Sequence, residues 1–513
     1  MPDKPDPSIP SAAYEAMSPV WQKIQTLLDG TPSMRAARQW TLPRHENESD
    51  GSYEERWQRA TLLNMTSLTL DQWVGRPFSD PVKRSEDMPP EVDEWMDDVD
   101  LQGNNVTTFA RQWFREGLAK GYAHVLIDFP EVDKQGRTAA DDVRDNLRPF
   151  MSLIRPEGLI FAEVRKVSGK ETLTHVRIVE NQRKRVGFGE ITEERIRIFD
   201  RILPGETPFS LIGFAEAQEL TAESVKEMET NEPERFNQIN APGVYVTTWI
   251  KNEDNDWIVE KNPRRIEGID EIPLVTFYSV PRDEFMVTKP PLEDLADLNV
   301  NWFQSNSDQN HILTVARFPI LAATGVSEEG DITIGPKNAL IDPNSGAKFM
   351  YVEHEGNAIE AGRKHEADLE EQMGHYGAQF MKKQSGNQTA TARALDSAEA
   401  TSPLQAGTMV FEDALNTATA FMGAWENIEN VGTLEIVKDF GPEELEGDDL
   451  NSLVKAREMG DISRPKFLQE LHRRGGLADE FNFDENEAEL KTEQGSLEDD
   501  DTLKEDLDPF AEK

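Results

Sequence analysis

Residues 290–316 read P-P-L-E-D-L-A-D-L-N-V-N-W-F-Q-S-N-S-D-Q-N-H-I-L-T-V-A, and this stretch decides the fold that we expect. It predicts a helix of about seven turns. Pro290 and Pro291 suit the first helical positions, where no backbone donor is needed. Glu293, Asp294 and Asp297 suit the positive end of the helix dipole. The rest of the chain is interpreted outward from this helix.

The polarity of this helix changes along its length. Its first half has an apolar face formed by Leu292, Leu295, Ala296, Trp302 and Phe303. From Gln304 to His311 every residue is polar, and Asn299, Asn306 and Asn310 share one stripe. Unpaired amides in an apolar interior cost a few kcal/mol each, and a helix polar on every side bridges solvent or packs against copies of itself. We therefore expect this helix to be stable only in a homo-oligomer.

Composition limits the possible functions. At 513 residues the chain allows two to four domains, and its net charge of −43 disfavours attraction to nucleic-acid phosphates. An acidic chain could still contact DNA by repelling it, as a smooth-walled conduit would. With no cysteine there are no disulfides or cysteine metal sites, which favours a reducing compartment. No apolar run approaches a membrane span and the N-terminus lacks a signal-peptide core, so we expect the protein to remain where it is made, without membrane contact.

The chain before the long helix predicts an α+β unit. Helical patterns occupy residues 11–40 with a break at 30–32, then 52–74, 89–96 and 105–120. Short alternating or buried runs predict strands at 123–129, 150–154, 173–179, 195–199, 244–250, 257–260 and 274–278. Residues 214–240 are acidic and poor in aliphatic residues, which favours an exposed insertion. The first 285 residues thus indicate helices followed by a mostly antiparallel sheet.

The chain after the long helix predicts a small β segment between long helices. Residues 317–357 indicate three short strands. A second long helix, 358–381, has a single apolar stripe of Leu369, Met373, Tyr376 and Phe380, and Gly374, Gly377 and Ala378 beside it would admit a neighbouring helix. A third helix, 391–428, should kink at Pro403. Short helices are expected at 445–459 and 463–474, followed by a disordered acidic tail at 485–513.

Catalytic motifs are incomplete wherever they begin. Gly325 and Gly330 have the outer spacing of a phosphate loop, but Asp331 and Ile332 stand where Lys and Ser or Thr are required. His365-Glu366 opens like a zinc-protease helix, yet Leu369 occupies the position of the second histidine. We expect neither catalytic residues nor a metal or cofactor, and we do not expect an enzyme.

The order of these elements resembles the portal proteins of tailed bacteriophages, the head-to-tail connectors, in particular portals of the domain-of-unknown-function type. The resemblance covers residues 14 to about 485 and rests on motif order. The matching stretches are P-P-L-E-D-L-A-D-L-N-V-N-W-F-Q-S-N-S-D-Q-N-H (290–311), A-R-F-P-I-L-A-A-T-G (316–325), G-T-P-S-M-R (30–35), E-E-R-W-Q-R-A (54–60), G-L-A-K-G-Y-A-H-V-L-I-D-F-P (117–130) and G-D-I-S-R-P-K-F-L-Q-E-L (460–471).

The resemblance implies a portal-like division of the chain. It comprises a flexible arm (1–13), an α+β wing (14–285), a first stem helix (286–316), a clip (317–357), a second stem helix (358–381), a tunnel loop (382–396), a kinked wing helix (397–440), a helical crown (441–484) and a disordered acidic tail (485–513). It also implies a ring, typically of twelve subunits, at one vertex of the capsid. Double-stranded DNA would pass through it without sequence recognition during packaging and ejection. The location is then the virion, after assembly in the bacterial cytoplasm.

The resemblance also implies partners and site residues. The partners are further copies of this chain, the large terminase (the packaging ATPase), head-completion or adaptor proteins, and the major capsid and scaffolding proteins. The DNA-channel residues of the tunnel loop would be Lys382, Lys383, Gln384, Asn387 and Gln388. The subunit interface of the stem would use Asn299, Trp302, Asn306, Asn310, Leu369, Met373, Tyr376 and Phe380. Partner docking at the clip would use Asp331, Lys337 and Lys348.

Two other function classes remain open from the sequence. An acidic scaffold or adaptor without a DNA channel could assemble by coiled coils, although no heptad persists for three repeats. A hydrolase with scattered acids would need a convergent pocket. For the paired lysines Lys382 and Lys383, a place at the negative end of helix 358–381 is the alternative to DNA contact.

Overall fold

A computed structural model of the chain describes residues 6–130, 144–204 apart from 168, 241–317, 320–325, 348–352, 356–381, 402–438 and 454–473. It also describes the isolated positions 138, 141, 206, 230, 231, 346 and 486. Contacts divide the chain into two units, Met1–Val437 and Lys438–Lys513. The expected insertion at 214–240, apart from 230 and 231, and the expected tail at 485–513, apart from 486, lie outside the described residues.

The first unit begins with a group of helices. They are α1 (Ala12–Leu28), α2 (Thr31–Ala36), α3 (Arg38–Thr41), α4 (Asp50–Arg59) and α5 (Met65–Gly75). The single helix expected over residues 52–74 is wrong. The chain leaves the helical conformation at Ala60, and the Asn64 side chain caps a new helix by accepting a hydrogen bond from Ser67 N at 3.0 Å. Asn64 also contacts α1, since its Nδ2 donates a hydrogen bond to Leu27 O.

The segment before α1 lies against a sheet in its described part, residues 6–11. Ser11 N donates to Ile160 O at 2.9 Å, and Arg177 Nη1 donates to Ile9 O at 3.3 Å. The expectation of a flexible arm over residues 1–13 is therefore corrected for residues 6–13, because backbone hydrogen bonds dock this segment and α1 begins at Ala12.

The next elements include a helix and a buried strand that are separated by Gly121. The elements are β1 (Lys83–Arg84), α6 (Pro90–Trp95), α7 (Val106–Lys120) and β2 (Tyr122–Asp128). Asn105 caps α7, and Gly121 ends it with a left-handed φ of 90°. A Cβ at Gly121 would also lie 2.1 Å from Thr288 Oγ1, so both backbone conformation and space require glycine there.

Two antiparallel sheets follow. The strands are β3 (Phe150–Ile154), β4 (Leu159–Val167), β5 (Lys170–Val186), β6 (Gly189–Ile202), β7 (Gly243–Lys251), β8 (Trp257–Arg265) and β9 (Leu274–Tyr278). The smaller sheet has the order β3-β2-β9 and the larger one β4-β5-β6-β7-β8. The predicted antiparallel arrangement is confirmed. The strand at residues 159–167 was not predicted from the sequence, and β5 and β6 are much longer than the predicted strands 173–179 and 195–199.

The last part of the first unit contains the long helices. These elements are α8 (Glu293–Ala316), β10 (Ile320–Thr324), β11 (Lys348–Val352), α9 (Asn357–Met381), α10 (Pro403–Trp425) and β12 (Leu434–Glu435). β10 pairs with β11 and β12 with β1, both antiparallel. The kink expected at Pro403 is wrong, because Ser402 caps a helix that starts at this proline. Of the three strands expected in 317–357, the first and third are present; the middle stretch lies outside the described residues.

The core of the first unit places α10 against the smaller sheet and α7. Phe411 packs against Phe114 and Phe277 with ring centroids 5.0 and 4.9 Å apart. The buried residues of α10 include Leu404, Leu415, Ala418 and Met422. The fold is thus a mixture of helices and antiparallel sheets, as expected for the α+β class.

The second unit is described mainly over residues 454–473. Its helix α11 spans Arg464–Arg473, and residues 454–458 are also helical. These agree with the two short helices expected there. Across the described part of the chain, no helix has both the length and the apolar character needed to cross a bilayer.

Candidate functional site: the paired long helices

Helices α8 and α9 pack side by side in opposite directions. The Tyr376 hydroxyl donates to Pro291 O at 3.0 Å, beside the start of α8. Further along, Trp302 Nε1 donates to Glu370 Oε1 at 3.1 Å. Near the other end, Gln309 Nε2 donates to Ile359 O at 2.7 Å. Because residue numbers rise on one helix as they fall on the other, the pair is antiparallel.

Glycine allows the two helices to approach closely at one end. A Cβ at Gly362 of α9 would lie 2.1 Å from Gln309 Oε1 of α8. The amide of Gln309 therefore rests directly against the backbone of α9, and its Nε2 reaches Ile359 O. Nearer the other end of α9, Trp73 Nε1 of α5 donates to Gly377 O at 3.0 Å, so α9 is also anchored to the N-terminal helices.

Asn299 is held inside the chain by three hydrogen bonds. Its Oδ1 accepts from Thr66 N at 3.1 Å and from Thr66 Oγ1 at 2.9 Å. Its Nδ2 donates to Leu63 O at 2.8 Å. The side chain has no exposed surface. Within one chain the side chain joins α8 to the start of α5, and the expected interface role of Asn299 stays a prediction.

A buried ion cluster joins α8 to α4. Arg56 donates from Nη2 to Glu48 Oε2 at 2.8 Å and from Nη1 to Asp308 Oδ1 at 3.2 Å. Its side chain is 2% exposed and that of Glu48 is 6% exposed. Hydrogen bonding from Arg56, opposed by burial, holds the pKa of the Glu48 carboxyl at about 2. His45 Nε2 lies 2.9 Å from the same Asp308 oxygen.

Other polar groups of α8 also find partners in the same chain. Gln304 Nε2 donates to Thr41 O at 3.1 Å, Ser307 Oγ donates to Arg56 O at 3.4 Å, and His311 Nε2 lies 3.3 Å from Ser52 Oγ. The inference that a helix with this polar half needs copies of itself is therefore wrong. The amides and hydroxyls are paired by α3, α4 and α9, so their burial carries little desolvation penalty.

Helix α9 is buried much less than α8. Its fully enclosed large side chains, among those described, are Leu369 at 3% exposure and Met373 at 0%. Both are buried inside the single chain, as is Trp302 of α8 at 7% exposure. The expected role of these three residues at a subunit interface stays a prediction. Each of the three was selected as an apolar or aromatic member of a stripe, and each stripe faces the other elements of this chain.

The remaining expected interface residues are half-buried or fall outside the described side chains. Asn306 Nδ2 donates to Glu366 Oε1 at 3.2 Å, and Asn310 Nδ2 donates to Asn306 Oδ1 at 2.8 Å. Burial raises the pKa of the Glu366 carboxyl, with Glu370 adding to the increase and Asn306 opposing it. Tyr376 is half-buried. Phe380 belongs to α9, but its side chain lies outside the described residues.

The exposed side of α9 has a definite pattern. At 100° per residue, the positions opposite α8 are Glu360, Lys364, Asp368, Glu371 and His375, all exposed. The two flanks between this charged face and the buried face mix small and long exposed residues: Ala358, Ala361, His365 and Gln372 on one flank, Arg363, Ala367, Glu370 and Gly374 on the other. A single helix thus presents one acidic face and two exposed flanks on which alanine or glycine alternates with polar side chains.

Of the residues predicted to act in the clip and the tunnel loop, the structure describes Lys348. Lys348 begins β11, is exposed, and pairs in register with Thr324. Asp331 and Lys337 lie outside the described residues, as do Lys382, Lys383, Gln384, Asn387 and Gln388.

The residues that fix α8 in place were not predicted from the sequence. Arg56 falls in the quoted stretch E-E-R-W-Q-R-A, but its partners Glu48 and Asp308 are 8 and 252 residues away. An Arg among polar and aromatic residues at helical spacing gave no sign of which carboxylate it would meet. Within the described part of the chain, no group of three or more potential ligands could hold a metal ion.

Comparisons with known proteins give a partial family match. A family model described as "Domain of unknown function (DUF4055)" matches residues 291–426, about a quarter of the chain. The matched span contains α8, β10, β11, α9 and α10, and nearly all of the stretch 290–311. No curated protein matches the chain.

Two solved structures are similar in outline. A chain from the "Neck of empty GTA particle computed with C6 symmetry" is 9% identical, with 89% of this chain and 97% of that chain covered, at a TM-score of 0.36. A chain from the "Virion of native gene transfer agent (GTA) particle" is 10% identical, with 90% and 98% covered, at a TM-score of 0.35. The function proposed below depends on this chain's own residues.

Proposed function

We propose that this chain is the subunit of a phage-type portal. Copies would form a ring at one capsid vertex, provide the channel for double-stranded DNA, and dock the packaging ATPase and head-completion proteins. No catalytic step is assigned to the chain. The observation that carries the proposal is the unequal burial of α9, a 25-residue helix whose charged face and two flanks are exposed in the single chain.

The flanks support a ring. Long helices in proteins are stabilised mainly by packing of an apolar face, and α9 encloses little apolar surface with its own chain. Ala358 and Ala361 lie on the side opposite to Ala367 and Gly374, so one flank would meet the preceding subunit and the other flank the next. A contact between two different surfaces repeats head to tail and closes into a ring when the rotation allows.

The charged face supports a channel. With α9 flanked by neighbours and backed by α8, the face of Glu360, Lys364, Asp368, Glu371 and His375 would line the bore. It carries three carboxylates and one lysine, so repeated copies would make an acidic wall. Such a wall repels phosphates and lets DNA slide, whereas a basic wall would hold it.

The tunnel loop after α9 extends the proposal. Lys382 and Lys383 would supply cations near the narrowest part of the bore, with Gln384, Asn387 and Gln388 as neutral contacts to the DNA backbone. Contacts of this kind position DNA without reading its sequence. The clip residues Asp331, Lys337 and Lys348 would serve docking of the packaging ATPase.

Electron microscopy of negatively stained, purified protein tests the ring. We expect rings with a central hole from the wild-type chain. Ala361→Trp and Ala367→Trp, which enlarge the two flanks, should reduce the ring fraction at least tenfold. Lys364→Trp, the same change on the bore face, should still form rings. Circular dichroism checks that all three variants keep the helical content.

Other outcomes would overturn the proposal. A rod-like particle would indicate the coiled-coil scaffold, and a featureless globule at all concentrations would indicate a monomer. If Lys364→Trp blocked rings as strongly as the flank variants, α9 would not face a bore.

A further inference from the structure

The hairpin of β5 and β6 extends beyond the rest of its sheet. The two strands pair as far as Val186 with Gly189. Their outer neighbours stop earlier, since β4 reaches β5 only at Ile178 and β7 reaches β6 only at Arg195. Residues 181–194 therefore project as a two-stranded ribbon, in which nearly every residue is exposed.

The end of this ribbon is apolar. Phe188, in the turn, is 107% exposed relative to a free residue, Val186 is 54% exposed and Ile191 is 47% exposed. Ile191 pairs with Lys184, two residues before Val186, so Ile191 and Val186 are diagonal neighbours on one face of the ribbon. We call Val186, Phe188 and Ile191 the apolar tip. Clustered apolar side chains on an otherwise polar projection are typical of a contact surface.

A cleft at the other end of the same strand has complementary properties. It encloses about 380 Å³ between the start of β5, β9 and α10, and its walls include Leu173, Ile272, Leu274, Val410, Ala414 and Phe421. Cavities of roughly 300 Å³ and more accommodate small ligands or anchoring side chains. Val410 is 48% exposed in the cleft wall, so the cleft presents apolar surface to whatever enters it.

The apolar tip cannot reach the cleft of its own chain. Leu173 and Val186 both belong to the continuous strand β5. At about 3.3 Å per residue, the thirteen steps between them span roughly 43 Å. The tip and the cleft thus point away from each other in one molecule. Two complementary surfaces at opposite ends of one body join copies head to tail.

We infer that the apolar tip of one copy inserts into the cleft of the next copy. The separation of the two surfaces along β5 and one available charge pairing support a second copy as the occupant. Lys184 pairs with Glu193 inside the ribbon and Arg185 lies opposite Glu190, so Arg183 is the cation that we assign to Asp413, an exposed carboxylate of the cleft wall. Two other carboxylates of the cleft already have cationic partners: Glu171 pairs with Arg282 and Glu271 with Arg201.

The inference rests on the proposed function only for the closure of the contacts into a ring. The contact itself is a statement about two surfaces of this chain. It adds a second contact between copies, made by the far end of β5, to the contact proposed for the flanks of α9.

Disulfide trapping tests the contact directly, because the natural chain has no cysteine. The double variant Phe188→Cys with Val410→Cys carries one thiol on the tip and one in the cleft. A disulfide needs Cα atoms about 4.4–6.8 Å apart, which the distance along β5 excludes within one chain. After oxidation we expect most chains in a ladder of cross-linked multimers on a non-reducing gel.

Matched variants define the controls. Each single cysteine variant alone should stay monomeric on the gel, and a mixture of the two should give dimers and no larger species. Phe188→Cys combined with Leu68→Cys, an exposed position on α5, should give no ladder. As a second measurement, Phe188→Asp should lower the ring fraction in electron micrographs at least fivefold with unchanged circular dichroism.

The outcomes separate this inference from the proposed function. Rings without any ladder, and with Phe188→Asp assembling normally, would overturn the contact and leave the portal proposal standing. A ladder formed by open filaments without rings would support the contact and overturn the ring. Neither rings nor a ladder would overturn both.

Discussion

The two long helices of this chain are almost equal in length and are stabilised in opposite ways. Helix α8, at 24 residues, is enclosed by α3, α4, α5 and α9 and buries polar groups that are paired one by one. Helix α9, at 25 residues, is attached through a few apolar side chains and leaves most of its surface exposed. Helix α8, in which every residue from 304 to 311 is polar, is thus the interior one. Polarity indicates an interface only when the chain itself offers no partners.

Among changes that test this difference between the two helices, the largest loss of stability is expected at Arg56. Arg56→Ala leaves the Glu48 carboxylate buried without its cation, and breaking a buried ion pair typically costs about 3–5 kcal/mol. The free energy of unfolding from urea titration, at a concentration where the chain is monomeric, measures this. Arg59→Ala, an exposed arginine on the same helix, should change it by less than about 0.5 kcal/mol.

The ion pair of Arg56 and Glu48 also predicts how the stability of the chain depends on pH. The pKa of Glu48 is about 2, below its ordinary value, so the charged form is favoured by folding. The stabilisation is therefore complete above the unfolded pKa and is lost as the pH falls through the folded one. Wild-type stability should fall between about pH 4.5 and pH 2 more steeply than that of Arg56→Ala. Parallel curves would show that the pair does not control acid stability.

The next largest effect is expected on the other helix, at Met373. Met373→Ala removes one of its few enclosed side chains, and such truncations cost about 2–5 kcal/mol. Because α9 has little other apolar anchorage, hydrogen exchange should accelerate along α9 more than along α8. Equal acceleration in both helices would mean that the pair opens as one unit. Gln372→Ala, exposed on α9, is the control.

A smaller effect is expected at Asn299. Asn299→Ala leaves Leu63 O and Thr66 N without their partner, and an unsatisfied buried group costs about 1–3 kcal/mol. Asn301→Ala, an exposed amide two residues further on α8, should be nearly neutral. If the two variants had equal stability by urea titration, the enclosed amide would contribute no more than a surface one.

The smallest effect is expected at Glu366, between the helices. Its pKa is raised, first by burial, so its ionised form opposes folding when the pH lies above that pKa. Glu366→Gln keeps an acceptor for Asn306 and removes the charge. It should stabilise the chain at pH 7 by no more than about 0.5 kcal/mol, because the group is partly solvated, and by less at pH 4. A loss of stability at pH 7 would contradict this sign.

The sequence was informative where its signals are local. Helix α9 begins within one residue of its predicted start, and Asn105 and Gly121 mark the ends of α7 as their capping chemistry requires. Partners far apart in sequence were not visible. The break at Ala60 depends on contacts of the next residues with α1 and α2, including Leu62 N with Thr31 Oγ1. β4 directly follows a short 3-10 turn, Pro156–Gly158, so the proline and glycine before this strand were a local signal that the sequence-based prediction did not use.

The candidate site was predictable only in part for the same reason. The stripe of Leu369 and Met373 was found from its spacing, but spacing does not say which surface the stripe meets. The enclosure of Asn299 depends on the backbone at Leu63 and Thr66, more than 230 residues earlier. Neither hydrophobic periodicity nor composition encodes such a distance.

The position of α10 has a consequence for synthesis of the chain. Phe411 fills the space between Phe114 and Phe277, and β12 pairs with β1 near the beginning of the sequence. The N-terminal body is therefore incomplete until residue 435 has left the ribosome. At roughly 5–20 residues per second, that takes on the order of 20–90 s. Until Phe411 is available, Phe114 and Phe277 lack this packing partner, so we expect the growing chain to expose apolar surface of the kind that favours aggregation.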